Sequence, residues 1–172
     1  MSAIKTILQK YNKQKNPIGF WRSQGVSIGE NCEIYPSASF GSEPYLISLG
    51  DHVRVNSGVN FITHDGGVWV LREYYDDLRD IDLFGKISVG NNVHIGTNAL
   101  IMPGVTIGNN CIVGCGAIVT KNIPDNSIAV GIPARVIETV DEYKEKHINQ
   151  FDCTKKLSRT EKENYLKKKF SI

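Results

Sequence analysis

Four imidazoles, four thiols and a few well-placed cations are the groups in this sequence that could do chemistry. His52, His64, His94 and His147 could each act as a neutral base at pH 7 or as a metal ligand. A metal site needs such ligands to converge, and intervals of 12 and 30 between the first three leave no close pair among them. Cys32, Cys111, Cys115 and Cys153 contain no CxxC pair, so reduced thiols with packing roles are the default. His147 falls in a polar C-terminal stretch. His52 and His94 take corner-like or outward positions in the repeat described below, where a hydrogen-bonded surface imidazole is the plain explanation. His64 stands apart, because it sits in Phe61-Ile62-Thr63-His64-Asp65-Gly66-Gly67 at the point where a long excursion, residues 66–86, interrupts that repeat. The excursion carries Trp69, Arg72, Tyr74, Tyr75, Asp76, Asp77 and Asp80, an aromatic and polar mixture suited to stacking on a sugar and holding its hydroxyls. Long loops in compact domains are often functional; a loop that merely packs on a neighbouring subunit is the competing reading. Asp65 adjoins His64, yet neighbours along a strand point to opposite faces. It therefore either orients the imidazole, binds a ligand, or caps the loop.

The elements that must hold these groups follow from one period. Val89, Ile95, Ile101, Ile107, Val113 and Val119 succeed one another at intervals of six, and four residues after each stands a compact residue: Val93, Ala99, Val105, Cys111, Ala117 and Ile123. Six-spaced residues would scatter around an α-helix, whereas a chain that makes a short strand and then a corner every six residues stacks them. Gly90-Asn91-Asn92 and Gly108-Asn109-Asn110 supply the left-handed backbone angles that such corners need. The register recurs upstream as Ile28, Ile34 and Phe40, then as Leu49, Val55 and Phe61. Three hexads make one triangular turn, so the coils start at Ile28, Leu49, Val89 and Ile107, with three extra residues before the second and 22 before the third, both at the same corner. Four coils at a spacing of about 4.8 Å make an all-β prism roughly 19 Å tall whose ends need caps.

Three segments are expected: a helical cap over residues 1–21, with Ile4, Ile7 and Leu8 at helical spacing; the coil over 22–137; and a helical tail over 138–172. In the tail, Ser158-Arg159-Thr160-Glu161 reads as a capping box opening a helix through Phe170, and the Lys167-Lys168-Lys169 run reads as a solvated face. A formal charge of +2, from 20 Lys+Arg against 18 Asp+Glu, provides no global field for nucleic acid or an anionic membrane. Without a signal-peptide core or a run of 18 apolar residues, the expectation is a cytoplasmic protein with no membrane insertion.

The stretch 87–137 resembles the hexapeptide-repeat acyltransferases of the galactoside, maltose and xenobiotic acetyltransferase group. The likeness is carried by Pro103-Gly104-Val105, Thr120-Lys121-Asn122-Ile123-Pro124 and Gly131-Ile132-Pro133-Ala134-Arg135-Val136, and with the upstream hexads it covers about residues 22–137. It implies a left-handed parallel β-helix, a hand that spacing could not supply because parallel crossovers are ordinarily right-handed. It also implies a homotrimer with acetyl-CoA, the acyl donor, lying in a groove between neighbouring prisms. By the same likeness Thr97 and Cys115 line the pantetheine path, Gly116 and Ala117 keep its wall low, Thr120 and Lys121 sit further along, and Arg135 lies near the nucleotide phosphates. His64, placed before just such a loop in that group, becomes the general base toward an acceptor hydroxyl, with Asp65, Trp69 and Arg72 as acceptor-binding candidates. No metal is expected. The arrangement of Thr63-His64-Asp65-Gly66-Gly67 and Trp69 is similar to that of O-acetyltransferases of bacterial capsule or other surface polysaccharides, which points to a sugar acceptor. The alternatives are N-acetylation of an amino sugar nucleotide, or a noncatalytic coil that serves as a scaffold or ligand-binding subunit. A γ-type carbonic anhydrase shares the coil but has two of its three metal-binding His five apart, a pair this chain lacks.

Overall fold

Each hexad becomes one short strand and one corner, and the strands stack in parallel register into three sheets. The structure, a computed structural model, describes residues 3–172; the side chains of residues 1–6, 9 and 10, Ile4 among them, lie outside the described residues. Along the first sheet run β1 (Ser27–Ile28), β3 (Ile47–Leu49), β6 (Ile87–Val89) and β9 (Thr106–Ile107). The second contains β2 (Glu33–Ile34), β4 (Val53–Val55), β7 (Val93–Ile95) and β10 (Cys111–Val113), followed by β12 (Ser127–Gly131) and the antiparallel β13 (Ala134–Thr139). The third consists of β5 (Asn60–Phe61), β8 (Leu100–Ile101) and β11 (Ile118–Val119). Ile28 pairs with Leu49, Leu49 with Val89, and Val89 with Ile107, so the four expected coils and both insertions are observed.

Inward positions are columns of like residues. Val55, Ile95, Val113 and Ala129 lie in register, as do Phe61, Ile101 and Val119, and all are buried. Outside, a corner ladder stitches the coils: Asp51 Oδ1 accepts from Glu30 N, Asn91 Oδ1 from Asp51 N, Asn109 Oδ1 from Asn91 N and Asp125 Oδ1 from Asn109 N, all within 2.7–2.8 Å. The next residues, His52, Asn92, Asn110 and Asn126, adopt positive φ of 54–58°. His52 joins Asn92 at 2.8 Å in the chain of side-chain bonds that continues through Asn110 to Asn126. That imidazole is a structural member of the corner.

Two helices span the expected cap. Helix α1 (Ala3–Lys15) leaves Ile7 and Leu8 exposed, and a second helix, α2 (Pro17–Ser23), carries the plug. Asn16 caps α2 by accepting from Gly19 N at 2.9 Å, with Pro17 opening the helix. Trp21 then lies over Phe40 at 4.8 Å between centroids, and Phe40 stacks on Phe61 at 4.7 Å. A bulky aromatic covers the open end of the core better than the sparse aliphatic stripe of α1.

The excursion contains helix α3 (Val68–Tyr74) and a 3-10 turn over Asp76–Leu78. Residues Glu142–Ile172 form a separate compact unit. The helix over Arg159–Phe170 in it begins with both halves of the Ser158/Glu161 capping box. Lys167 pairs with Glu163 at 2.7 Å, and Asp152 accepts from Lys169 at 2.7 Å and from Tyr165 at 2.5 Å, in keeping with a solvated helix. Among the described residues no helix is long and apolar enough to cross a membrane.

Candidate active site

Alternation along β5 and the residues after it decides which side chains leave the core. Phe61 and Thr63 point inward and are buried, whereas His64 projects outward with its side chain 46% exposed. The corner it occupies, where the third sheet gives way to the first, is the one that carries both insertions. Three extra residues in the first coil place Ser42 and Glu43 directly beneath it. Glu43 Oε2 lies 3.1 Å from His64 Nδ1 and accepts from the buried Thr63 hydroxyl at 2.6 Å, and Ser42 Oγ is 3.3 Å from the same imidazole nitrogen. Thr63's hydroxyl holds the Glu43 carboxyl below the ordinary carboxylate range against the opposing push of burial, with Ser42 and His64 adding to the lowering.

Glu43 is therefore an anion at neutral pH and can only accept. The imidazole answers by carrying its proton on Nδ1, which leaves the Nε2 lone pair free; Nε2 has no partner among the described residues. The arrangement is a half-exposed imidazole, its tautomer set by a carboxylate that is itself fixed by Thr63.

On its other flank His64 meets the end of the excursion. Phe84 pairs with it in an antiparallel bridge, with Asp65 N donating to Leu83 O and Gly85 N to Thr63 O, each at 2.8 Å. The rings approach to 6.3 Å between centroids at 69°.

The three acceptor-binding candidates, Asp65, Trp69 and Arg72, all lie in or next to the excursion. Asp65 Oδ1 accepts from Gly67 N at 2.8 Å, so it caps the loop and does not orient His64. Arg72 is committed within the excursion, where its Nε donates to Ile81 O at 2.7 Å and its Nη2 pairs with Asp82. A guanidinium bonded to Ile81 and Asp82 holds the loop's shape. Trp69 is exposed on α3 and remains available to a ligand.

Among the residues expected along the donor path, Thr97 and Cys115 are exposed at a different corner, between the second and third sheets, and Gly116 N donates to Thr97 O at 2.8 Å. Gly116 has a φ of +68°. Ala117 is fully buried with its methyl in the core and both backbone polar groups bonded to other residues, so it offers a groove no side chain; the need for a compact residue there comes from inside. Thr120 and Lys121 are exposed on the edge that carries His64. Arg135 is exposed on β13, its Nη1 donating to Ala134 O at 2.9 Å. His94 is hydrogen-bonded to Asn56 at 3.3 Å, and burial followed by the Arg54 charge lowers its pKa. No cluster of three or more His, Cys, Asp or Glu able to hold a metal occurs among the described residues.

Ser42, Glu43 and Phe84 were not singled out in the sequence. The signal for Glu43 existed, since Ser39 stacks on Asn60 at an interval of 21 and the same interval carries position 43 onto 64. Phe84 had no such signal, because the excursion obeys no repeat.

The family model of the bacterial transferase hexapeptide (six repeats) matches residues 86–121. The chain is 48% identical over 165 residues to "Protein CapG" of Staphylococcus aureus, covering 95% of this chain and 92% of that one. It is 33% identical over 132 residues to the galactoside O-acetyltransferase of Escherichia coli (strain K12), covering 76% of this chain and 62% of the relative. A galactoside acetyltransferase solved in complex with coenzyme A superposes with a TM-score of 0.59 at 26% identity, over 83% of this chain and 82% of that one.

Proposed function

The chain belongs to the bacterial hexapeptide-repeat acetyltransferases, and on that premise we propose that it moves an acetyl group from acetyl-CoA to a hydroxyl of a sugar destined for capsule or another surface polysaccharide. The observation that carries this reading is the His64–Glu43 pair at 3.1 Å on a half-exposed imidazole whose Nε2 has no partner among the described residues. An acceptor hydroxyl donating to Nε2 loses its proton to the imidazole as its oxygen attacks the thioester carbonyl. The Glu43 carboxylate stabilises the imidazolium that forms. Collapse of the tetrahedral intermediate expels the thiolate of CoA, which takes that proton and leaves as thiol, so no acyl-enzyme is required. The capsule assignment is supported by the similarity to CapG, and the sugar hydroxyl by the galactoside O-acetyltransferase.

The proposal includes a left-handed coil and a homotrimer in a cytoplasmic location that goes with a CoA donor. The base and the pair Thr97 and Cys115 lie on different edges of the triangular coil, so a donor that touches both edges has to lie between two protomers. Thr97, Cys115 and Gly116 would line the pantetheine path on one protomer, with Thr120, Lys121 and Arg135 meeting the more anionic part of the donor as point charge and fork. Solution mass is expected near three times 19.1 kDa; an active monomer in light scattering would remove the shared groove.

Release of CoA thiol from acetyl-CoA, screened across pyranosides, nucleotide-linked amino sugars and serine, tests the reaction itself. Turnover is expected with hydroxyl-bearing sugars. Turnover confined to amines would replace O- by N-acetylation, and tight CoA binding without turnover on any acceptor would turn the protein into a ligand-binding coil.

A further inference from the structure

We infer that Phe84 is the platform on which the acceptor's pyranose ring stacks, making it a specificity-determining residue that selects a flat sugar over an acyclic alcohol or an amino acid. The inference rests on the sugar-directed reading above and names a side chain that carries the selection.

Three features of the geometry converge on it. The first is rigidity. His64 and Phe84 form the antiparallel pair whose flanking hydrogen bonds lie on the neighbouring residues, Asp65 N to Leu83 O and Gly85 N to Thr63 O, each at 2.8 Å. In pairs of this type the two facing side chains share a side and approach most closely. Gly85 then packs so tightly against the next coil that a Cβ there would lie 2.3 Å from Gly104 N and 2.7 Å from Pro103 C. Phe84 is thus pinned by the backbone on both sides, although it terminates a long excursion.

The second feature is that an aromatic ring so firmly held is 50% exposed beside the base. An unconstrained chain would turn such a ring inward; here the ladder obliges it to face the same space as the imidazole, 6.3 Å away. The third is the contrast between the two flanks of His64. One is polar and spoken for, with Ser42 and Glu43 on Nδ1 and the Thr63 hydroxyl donating to Glu43. The other is apolar and unoccupied. A pyranose has a matching division, an apolar face of C–H groups and a rim of hydroxyls. Stacked on Phe84, it presents its rim to Nε2. Serine or another short acyclic alcohol has no face to stack and gains nothing from the ring. The two side chains assigned in the sequence to hold acceptor, Asp65 and Arg72, are occupied in shaping the loop, which leaves the aromatic surfaces to bind it.

Steady-state kinetics with a pyranoside that supports thiol release tests this, using the full-length protein and a melting curve for each variant. Phe84→Ala is expected to raise the acceptor KM about tenfold with kcat changed far less. Phe84→Leu, which keeps apolar bulk but lacks a flat face, should raise it in the same direction, and Phe84→Trp should retain affinity near that of the unaltered protein. Unchanged acceptor KM in both Phe84→Ala and Phe84→Leu overturns the inference, as does a fall in kcat at constant KM, which would make the ring only a brace for His64. A protein that acetylates no pyranoside before any substitution overturns the sugar reading and this inference together, and so separates the two failures.

Discussion

Alanine in place of His64 is expected to lower turnover by about 10²–10⁴-fold, the usual worth of a positioned general base, while the unfolding free energy changes by no more than about 0.5 kcal/mol. Activity and stability separate here because the side chain is half-exposed and stands outside the apolar columns. After the substitution Glu43 keeps the hydroxyl of Thr63 at 2.6 Å, so the carboxylate beneath is not orphaned. Glu43→Gln provides the companion test. It preserves shape but removes the charge that favours both the Nδ1–H tautomer and the imidazolium, and turnover should fall by about one to two orders of magnitude, less than the loss of the base itself. Parallel thiol-release assays and melting curves check both variants; a His64→Ala protein with undiminished turnover would exclude His64 as the base. The same carboxyl sets an acid limit. Its folded-state pKa is depressed, so the stability it contributes is present above the ordinary carboxylate range and is lost as falling pH titrates the folded group.

Phe40→Ala is expected to destabilise the protein by about 3–5 kcal/mol, a large share of the roughly 5–15 kcal/mol that holds a typical domain together. Phe40 is wholly buried and forms the middle of the stack from Trp21 through Phe40 to Phe61, with centroid distances of 4.8 and 4.7 Å. Its removal opens a cavity and unseats the plug that closes the first coil. In a stacked array an end coil has a neighbour on one side only, so loss of its cap weakens the terminal interface with no second one to compensate. Phe40→Leu should recover much of the loss, since apolar bulk without the ring still fills the column. Chemical denaturation provides the measurement. A shift below about 1 kcal/mol for Phe40→Ala would mean that the first coil frays independently of the rest.

Much of this molecule was legible because a coil of hexads has a local rule. An apolar anchor every six residues, with a compact residue four on, assigns each position to the core or a corner without knowledge of any distant partner; Val89 through Ile123 and the columns they form follow from it. The same rule made residues 66–86 visible as an interruption and His64 visible as the residue at its mouth. Where the rule lapses, so did the reading. Helix α1 carried apolar spacing on too few residues to bury them, whereas Trp21 on α2 met its partner Phe40 through a packing that no period announces. The local bonds of Asp65 to Gly67 N and of Arg72 to Ile81 O likewise follow no period.

The division has a physical cause. Spacing along the chain was enough for the coil, its corners and the two insertions, with His64 at the mouth of the second, because each depends on the conformation of a few successive residues repeated at a constant interval. The carboxylate partner of His64 and the apolar flank beside it emerge only when coils stack and the excursion returns. Glu43 reaches His64 across 21 residues through a three-residue insertion, and Phe84 reaches it across 20 by pairing at the excursion's end. Such contacts are set by how separate turns pack and close on one another, and stacking and loop closure are properties of the folded chain as a whole.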